Sequence, residues 1–109
     1  MILELREYLD REGRNPFAAW FADLDSIAAA KITTALTRMS LGHLSNTKGV
    51  GESVLEYKVD FGPGYRVYFG RDGERVVILV AGGTKRRQVN DVRLARLRWA
   101  DYKARKRGS

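Results

Sequence analysis

The sequence predicts a single α+β domain of element order β-α-α-β-β-β-α, and three observations carry that prediction. Apolar residues recur at helical spacing between positions 15 and 39. They switch to an alternation of period two between positions 54 and 69, then return to helical spacing after position 88. Turn-forming glycines separate the alternating runs, so the sheet is expected to be small and mostly antiparallel. A length of 109 residues with 44% apolar content suits one compact domain, 1–109, with a single modest core.

Residues 2–9 alternate well enough for a first strand, with Leu3 and Leu5 on one face. Asn15 and Pro16 start a helix, Asn as N-cap and Pro at the first helical position. Phe17, Trp20, Phe21 and Leu24 follow as an aromatic stripe expected to be buried. Asp25 or Ser26 caps a second helix, whose stripe is Ala28, Ile32, Ala35, Leu36 and Met39. Gly42 stands where a left-handed C-cap belongs. So short a connection predicts an N-terminal helical hairpin.

Residues 42–53 are polar and glycine-bearing, and read as a loop. A strand over 54–61 meets the tight turn Gly62-Pro63-Gly64, and a second strand runs from Tyr65 to Gly70. Asp72-Gly73 is a hairpin turn into a third strand over 74–81. The run from Val76 to Val80 is continuously apolar, so this strand is expected to be central and covered on both faces, with Gly82-Gly83 ending it. A last helix begins near 86–88, ends near Ala104, and packs on the sheet through Val92, Ala95, Trp99 and Tyr102. Leu94 and Leu97 lie on its opposite side.

Charge is distributed unevenly. The formal net charge is +7, yet residues 1–54 sum to −1, residues 55–84 to 0 and the basic C-terminal segment 85–109 to +8. Such asymmetry suits a polyanionic partner. The plainer alternative is a solvated basic tail. With no cysteine, thiolate metal sites, disulfides and cysteine nucleophiles are excluded. One histidine, His43, makes no multi-histidine metal site, and its place past a helix end suits neutralisation of free carbonyls. No metal and no cofactor are expected. No apolar run reaches the roughly 18–20 residues of a membrane span, and Glu4 and Glu7 stand where a signal peptide needs apolar residues. A cytoplasmic protein without a membrane partner is the expectation.

Alternation puts Glu56, Lys58 and Asp60 on one face of their strand, and Arg66, Tyr68 and Gly70 on one face of the next. Lys58, Arg66 and Tyr68 then share a sheet face near Lys85, Arg86 and Arg87. Cations on a rigid sheet suit a phosphodiester, because they hold its oxygens and stabilise the charge that develops on them. Surface ion pairs of Glu56 or Asp60 with Lys58 and Arg66 are the plainer account. Asp91 with Gln88 could act at such a site, or serve only as helix-start chemistry.

The element order, the segment Glu56-Tyr57-Lys58-Val59-Asp60-Phe61-Gly62-Pro63-Gly64-Tyr65-Arg66-Val67-Tyr68-Phe69, and Gly82-Gly83-Thr84-Lys85-Arg86-Arg87-Gln88-Val89-Asn90-Asp91-Val92 resemble the RelE/ParE superfamily. Within it they look most like the HigB-like, phage-derived (Gp49-like) addiction-module killer proteins. The resemblance covers nearly the whole chain and implies a RelE-like fold. It further implies the toxin of a type II toxin–antitoxin pair, a ribosome-dependent messenger-RNA endoribonuclease in which the 2′-OH attacks the adjacent phosphate without metal. Arg66 matches the sheet arginine at the scissile phosphate, and Lys85 the basic position after the last strand. Lys58 lies on the strand where relatives carry lysines, one residue out of ungapped alignment. Arg86, Arg87, Gln88, Tyr68, Arg105, Lys106 and Arg107 are the expected RNA-binding residues. Expected partners are messenger RNA, the ribosome and a helix-turn-helix, HigA-like antitoxin, for which Leu94 and Leu97 offer a contact. The group that moves protons stays open, since Asp91 falls near the position of the terminal His or Tyr of some relatives. Two other readings remain: a ParE-like gyrase inhibitor without a nucleolytic site, and a non-catalytic basic nucleic-acid-binding module.

Overall fold

The computed structural model describes residues 2–108. Strand β1 (Glu4–Glu7) is followed by helices α1 (Pro16–Ala22) and α2 (Ser26–Ser40). Strands β2 (Thr47–Gly49), β3 (Leu55–Val59), β4 (Tyr65–Asp72) and β5 (Val76–Thr84) come next. One tight turn of 3-10 helix, Lys85–Arg87, then leads into α3 (Gln88–Gly108). The strands form one mixed sheet in the order β1-β5-β4-β3-β2. Only β1 and β5 run parallel; the other neighbours are antiparallel.

The helix starts are where their capping chemistry puts them. The Asn15 side chain accepts from the Ala18 N–H at 2.9 Å, and the Asp25 side chain from the Ala28 N–H at 2.8 Å, each satisfying an otherwise orphaned donor. The α1 and α2 stripes cover one face of the sheet over Tyr57, Tyr65, Val67, Phe69, Val77 and Leu79. Phe17, Ile32 and Met39 are fully buried there, each contributing roughly 1.5–3 kcal/mol of apolar burial. Trp20, Phe21 and Leu24 are only half-buried, because a seven-residue helix lying on a sheet turns one narrow side inward. The expected helical hairpin is not the organising unit. Three residues, Asp23 to Asp25, separate the helices, and α1 rests on β5 while α2 rests on β1 and β3.

Three further expectations change. The segment taken for a loop contains β2, which pairs with β3 through Lys48 and Glu56. Its polar sequence hid it, because an edge strand solvated on one side needs no apolar alternation. The strand β5 is covered on both faces as expected, by α1 on one and α3 on the other, but the middle of the sheet is β4. Gly82 and Gly83 do not end β5; they lie within it. Between Tyr68 and Phe69 the partner on β5 jumps from Ala81 to Leu79, a bulge at Val80 that reverses which face the following residues show. A Cβ on Gly82 would sit 2.1 Å from the Trp20 ring, and one on Gly83 would sit 1.8 Å from Asp91 Oδ2. Successive glycines thus admit one helix side chain on each face.

The third helix packs on the second face through Ala95 and Trp99, over Tyr8, Ile78, Val80 and Ala81. Gly70 has the Trp99 ring directly on it, where a Cβ would come within 2.5 Å. No helix among the described residues is long and apolar enough to cross a membrane.

Candidate functional site

The register of β3 and β4 decides which side chains meet. Lys58 is paired with Arg66, and Glu56 with Tyr68, a register that alternation alone does not fix. The turn after β3 has Gly62 and Gly64 at positive φ, and the Lys85 N–H donates to the Gly64 carbonyl at 2.7 Å. That bond pulls the start of the 3-10 turn onto the β3–β4 turn. A Cβ on Gly64 would lie 3.4 Å from Arg66 Nη1 and 3.5 Å from Lys85 Cβ, so both basic residues converge on one glycine.

Arg66 is not the exposed sheet arginine that the sequence suggests. It is 6% exposed, its Nη1 donates to the Tyr65 carbonyl at 3.3 Å, and its Nε lies 3.5 Å from Glu56 Oε1. Glu56 is itself 2% exposed and has two further partners. Gln88 Nε2 donates to its Oε2 at 2.8 Å, and Lys48 Nζ stands 3.8 Å from its Oε1. The pairing of Glu56 with Arg66 is therefore real but buried, beneath the first turn of α3. Desolvation of two charges makes such a pair costly unless other bonds complete it.

The shell is incomplete. Arg66 Nε and Asp91 Oδ2 are buried without a hydrogen-bond partner, and the Tyr68 hydroxyl is buried toward the Glu56 carboxylate without a bond of good geometry. Burial, and next the negative charge of Glu56, pushes the Tyr68 hydroxyl up, so it stays protonated as a donor. Burial also raises the Asp91 carboxyl above the ordinary aspartate value, against the opposing pull of Arg87 and Arg98. Asp91 is 8% exposed and sits over Gly83. This buried cluster of donors and carboxyls with unfilled valences can hold protons, while the exposed cations beside it, Lys48 and Lys85, can meet an anion.

The remaining expected site residues divide. Lys85, Arg86 and Arg87 are exposed at the rim, and Lys58 is exposed with its Nζ 3.4 Å from Asp60 Oδ1. Tyr68 has no exposed ring to stack on a base, because α3 covers it completely. Gln88 turns inward to Glu56 rather than outward to a ligand. Arg105 bonds Asp101 at 2.8 Å and the Leu9 carbonyl, and Lys106 bonds Asp72, so both tie α3 to the rest of the fold. Arg107 is exposed. Leu97 is 58% exposed, whereas Leu94 is half-buried on the helix flank, so the two do not form one open pair. His43 is exposed, and its backbone N–H closes α2 onto the Arg38 carbonyl at 3.0 Å.

Sequence reasoning placed Glu56 in a surface pair and gave Lys48 no role. The only signal for Glu56 was its alternation onto the face of Arg66 and Tyr68. That α3 would close over this face is a tertiary fact.

No family model matches the chain. A protein of Haemophilus influenzae, described as uncharacterized, is 35% identical over 82 residues, which cover 74% of this chain and 83% of that protein. That extent and identity place the two in one family, and the chain belongs to the family of this Haemophilus influenzae protein.

Proposed function

We propose that the protein is the toxin of a toxin–antitoxin pair with a RelE-like fold, acting as a ribosome-dependent endoribonuclease on messenger RNA. The observation that carries this reading is the convergence of Arg66 and Lys85 on Gly64, with Lys58 opposite Arg66 on the neighbouring strand. A phosphodiester held there would meet cations from two strands and from the turn before α3, the arrangement that stabilises charge developing on a phosphate under attack. Arg66 would neutralise the phosphate, Lys85 would hold it at the rim, and Lys58 would contact it from β3. The exposed Arg86 and Arg87 extend the same positive surface toward ribosomal RNA. The partners on this reading are the ribosome with its messenger RNA and a helix-turn-helix antitoxin, and the compartment is the cytoplasm.

One observation favours a second reading. Arg66 is engaged by a buried Glu56, as a purely structural ion pair would be. A protein whose sheet arginine is spent in this way would inhibit by binding, as a gyrase poison does. Primer extension on messenger RNA after brief expression separates the two. Discrete cuts inside translated codons, lost in Lys85→Ala and Arg66→Lys, are expected. Growth arrest with an SOS response and uncut messenger RNA would replace the nuclease reading with the gyrase one.

A further inference from the structure

We propose that the recess between α2 and the end of β3 binds a small phosphomonoester, a dianionic phosphate carried on a sugar or a single ring. The recess lies on the face of the sheet that α1 and α2 cover, and neither Arg66 nor Lys85 lines it, so it is separate from the RNA reading. One wall is a flank of α2. Lys31, Thr34, Ala35 and Arg38 follow one another at i, i+3, i+4 and i+7, so all four share that flank. Lys31 and Arg38 stand two turns apart, about 10 Å along the axis at roughly 1.5 Å per residue. An acid at an intervening position would balance them, yet α2 contains none. The exposed Arg38 side chain makes no hydrogen bond or ion pair among the described residues.

The other wall comes from β3 and the residues that follow it. Tyr57 lines the recess and is only 5% exposed, so it forms the floor, with the half-buried Phe61 beside it. Lys31 Nζ stands 5.1 Å from the centre of the Phe61 ring, which holds the ammonium against this wall. Asn46 closes a third side, pinned where its carbonyl accepts from the Lys58 N–H at 3.1 Å. Lys58 Nζ is 3.4 Å from Asp60 Oδ1, so Lys31 and Arg38 are left as the uncompensated charge.

Charge and size select the ligand. Three cations against one acid leave the lining at +2, which a phosphomonoester matches above its second pKa of about 6. A carboxylate brings one charge, and a single guanidinium fork satisfies it. A tetrahedral phosphate presents separate oxygens to Arg38 and to Lys31 at once. The volume is about 280 Å³, just under the roughly 300–1,000 Å³ of ordinary small-molecule sites, which suits a phosphate with one sugar or ring. An RNA strand needs a cationic track along its backbone, and α2 carries no cation besides these two.

The test titrates the full chain at 150 mM salt with four probes: ribose 5-phosphate, ribonate, ribose and a short single-stranded RNA without a terminal phosphate. Ribose 5-phosphate should bind at least tenfold more tightly than ribose and at least threefold more tightly than ribonate. Arg38→Ala and Lys31→Ala should each weaken it at least fivefold. Arg75→Ala removes an exposed and equally free arginine outside the recess, and should leave it unchanged. Equal binding of the sugar phosphate and ribonate, or an Arg38→Ala variant with wild-type affinity, overturns the proposal. So does a loss in Arg75→Ala as large as that in Arg38→Ala, which would make the binding a diffuse charge effect. An RNA affinity that falls with Arg38→Ala as steeply as the sugar phosphate's overturns it too. All three side chains are exposed, so the variants are expected to fold. Messenger-RNA cleavage is not the readout, so this proposal and the nuclease reading fail separately.

Discussion

At its C-terminal end α3 sets Asp101 and Tyr102 against Tyr8 and Asp72, and at its N-terminal end it sets Gln88 and Asp91 against Glu56 and Tyr68. The residue types are nearly the same. At the first end both hydroxyls and both carboxylates are satisfied: the Tyr8 hydroxyl donates to Asp101 at 2.6 Å, and the Tyr102 hydroxyl to Asp72 at 2.5 Å. Arg11, Arg105 and Lys106 complete those carboxylates, although Arg105 Nε is itself buried without a hydrogen-bond partner. At the other end Gln88 bonds Glu56 and Arg66 pairs with it at 3.5 Å, while Arg66 Nε, the Tyr68 hydroxyl and Asp91 Oδ2 make no hydrogen bond of good geometry. A polar cluster that completes itself holds a helix down. One that does not has room in its hydrogen bonding for something from outside.

The sharpest way to break the comparison is to remove Arg66. Arg66→Met should destabilise the fold by about 3 kcal/mol, because it leaves Glu56 charged and buried. Adding Glu56→Gln should recover most of that loss in urea unfolding while toxicity stays absent. If Arg66→Met were as stable as wild type, the pair would be solvated and the site open. A smaller effect is expected at Gly83, where Ala would drive Asp91 off the strand at a cost of about 2 kcal/mol. Thermal unfolding of Gly83→Ala beside Gly49→Ala, a strand glycine without positive φ whose Cβ meets nothing within 4 Å, separates overpacking from the generic Gly→Ala change. At the satisfied end, Tyr8→Phe removes one bond to Asp101 and should cost about 1 kcal/mol in the same assay, with no change in growth arrest.

The smallest expected effects are the most diagnostic, since the two ends should respond to pH with opposite sign. Asp72, chiefly through Lys106 and then Tyr102, and Asp101, chiefly through Tyr8, are held below the ordinary aspartate value of 3.8. Their contribution to stability is present above that value and is lost as pH falls through their lowered ones. Asp91 is raised by burial, so its contribution is complete below 3.8 and is lost as pH rises through its raised value. Unfolding free energies measured from pH 3 to pH 8 should show Asp91→Asn removing the loss on the rising side. Asp72→Asn with Asp101→Asn should remove the loss on the falling side. The same sign at both ends would mean that Asp91 is solvated.

Local chemistry and periodicity determined much of this molecule from the sequence alone. The caps at Asn15 and Asp25, the α2 stripe, the turn at 62–64 and the strands on either side of it depend on neighbours a few residues away, and each was legible. The strand β2 was not, because a three-residue polar edge strand has no pattern of its own and exists only through β3. Nor was the parallel pairing of β1 with β5, which joins residues more than 70 positions apart. For the site, the residue types and their shared face could be read, but burial could not. Glu56 and Arg66 alternate like any solvated pair, and only α3, admitted by the missing side chains of Gly70 and Gly83, takes them out of water. Solvation belongs to the assembled fold, because only the packing of distant elements decides which charges lose their water.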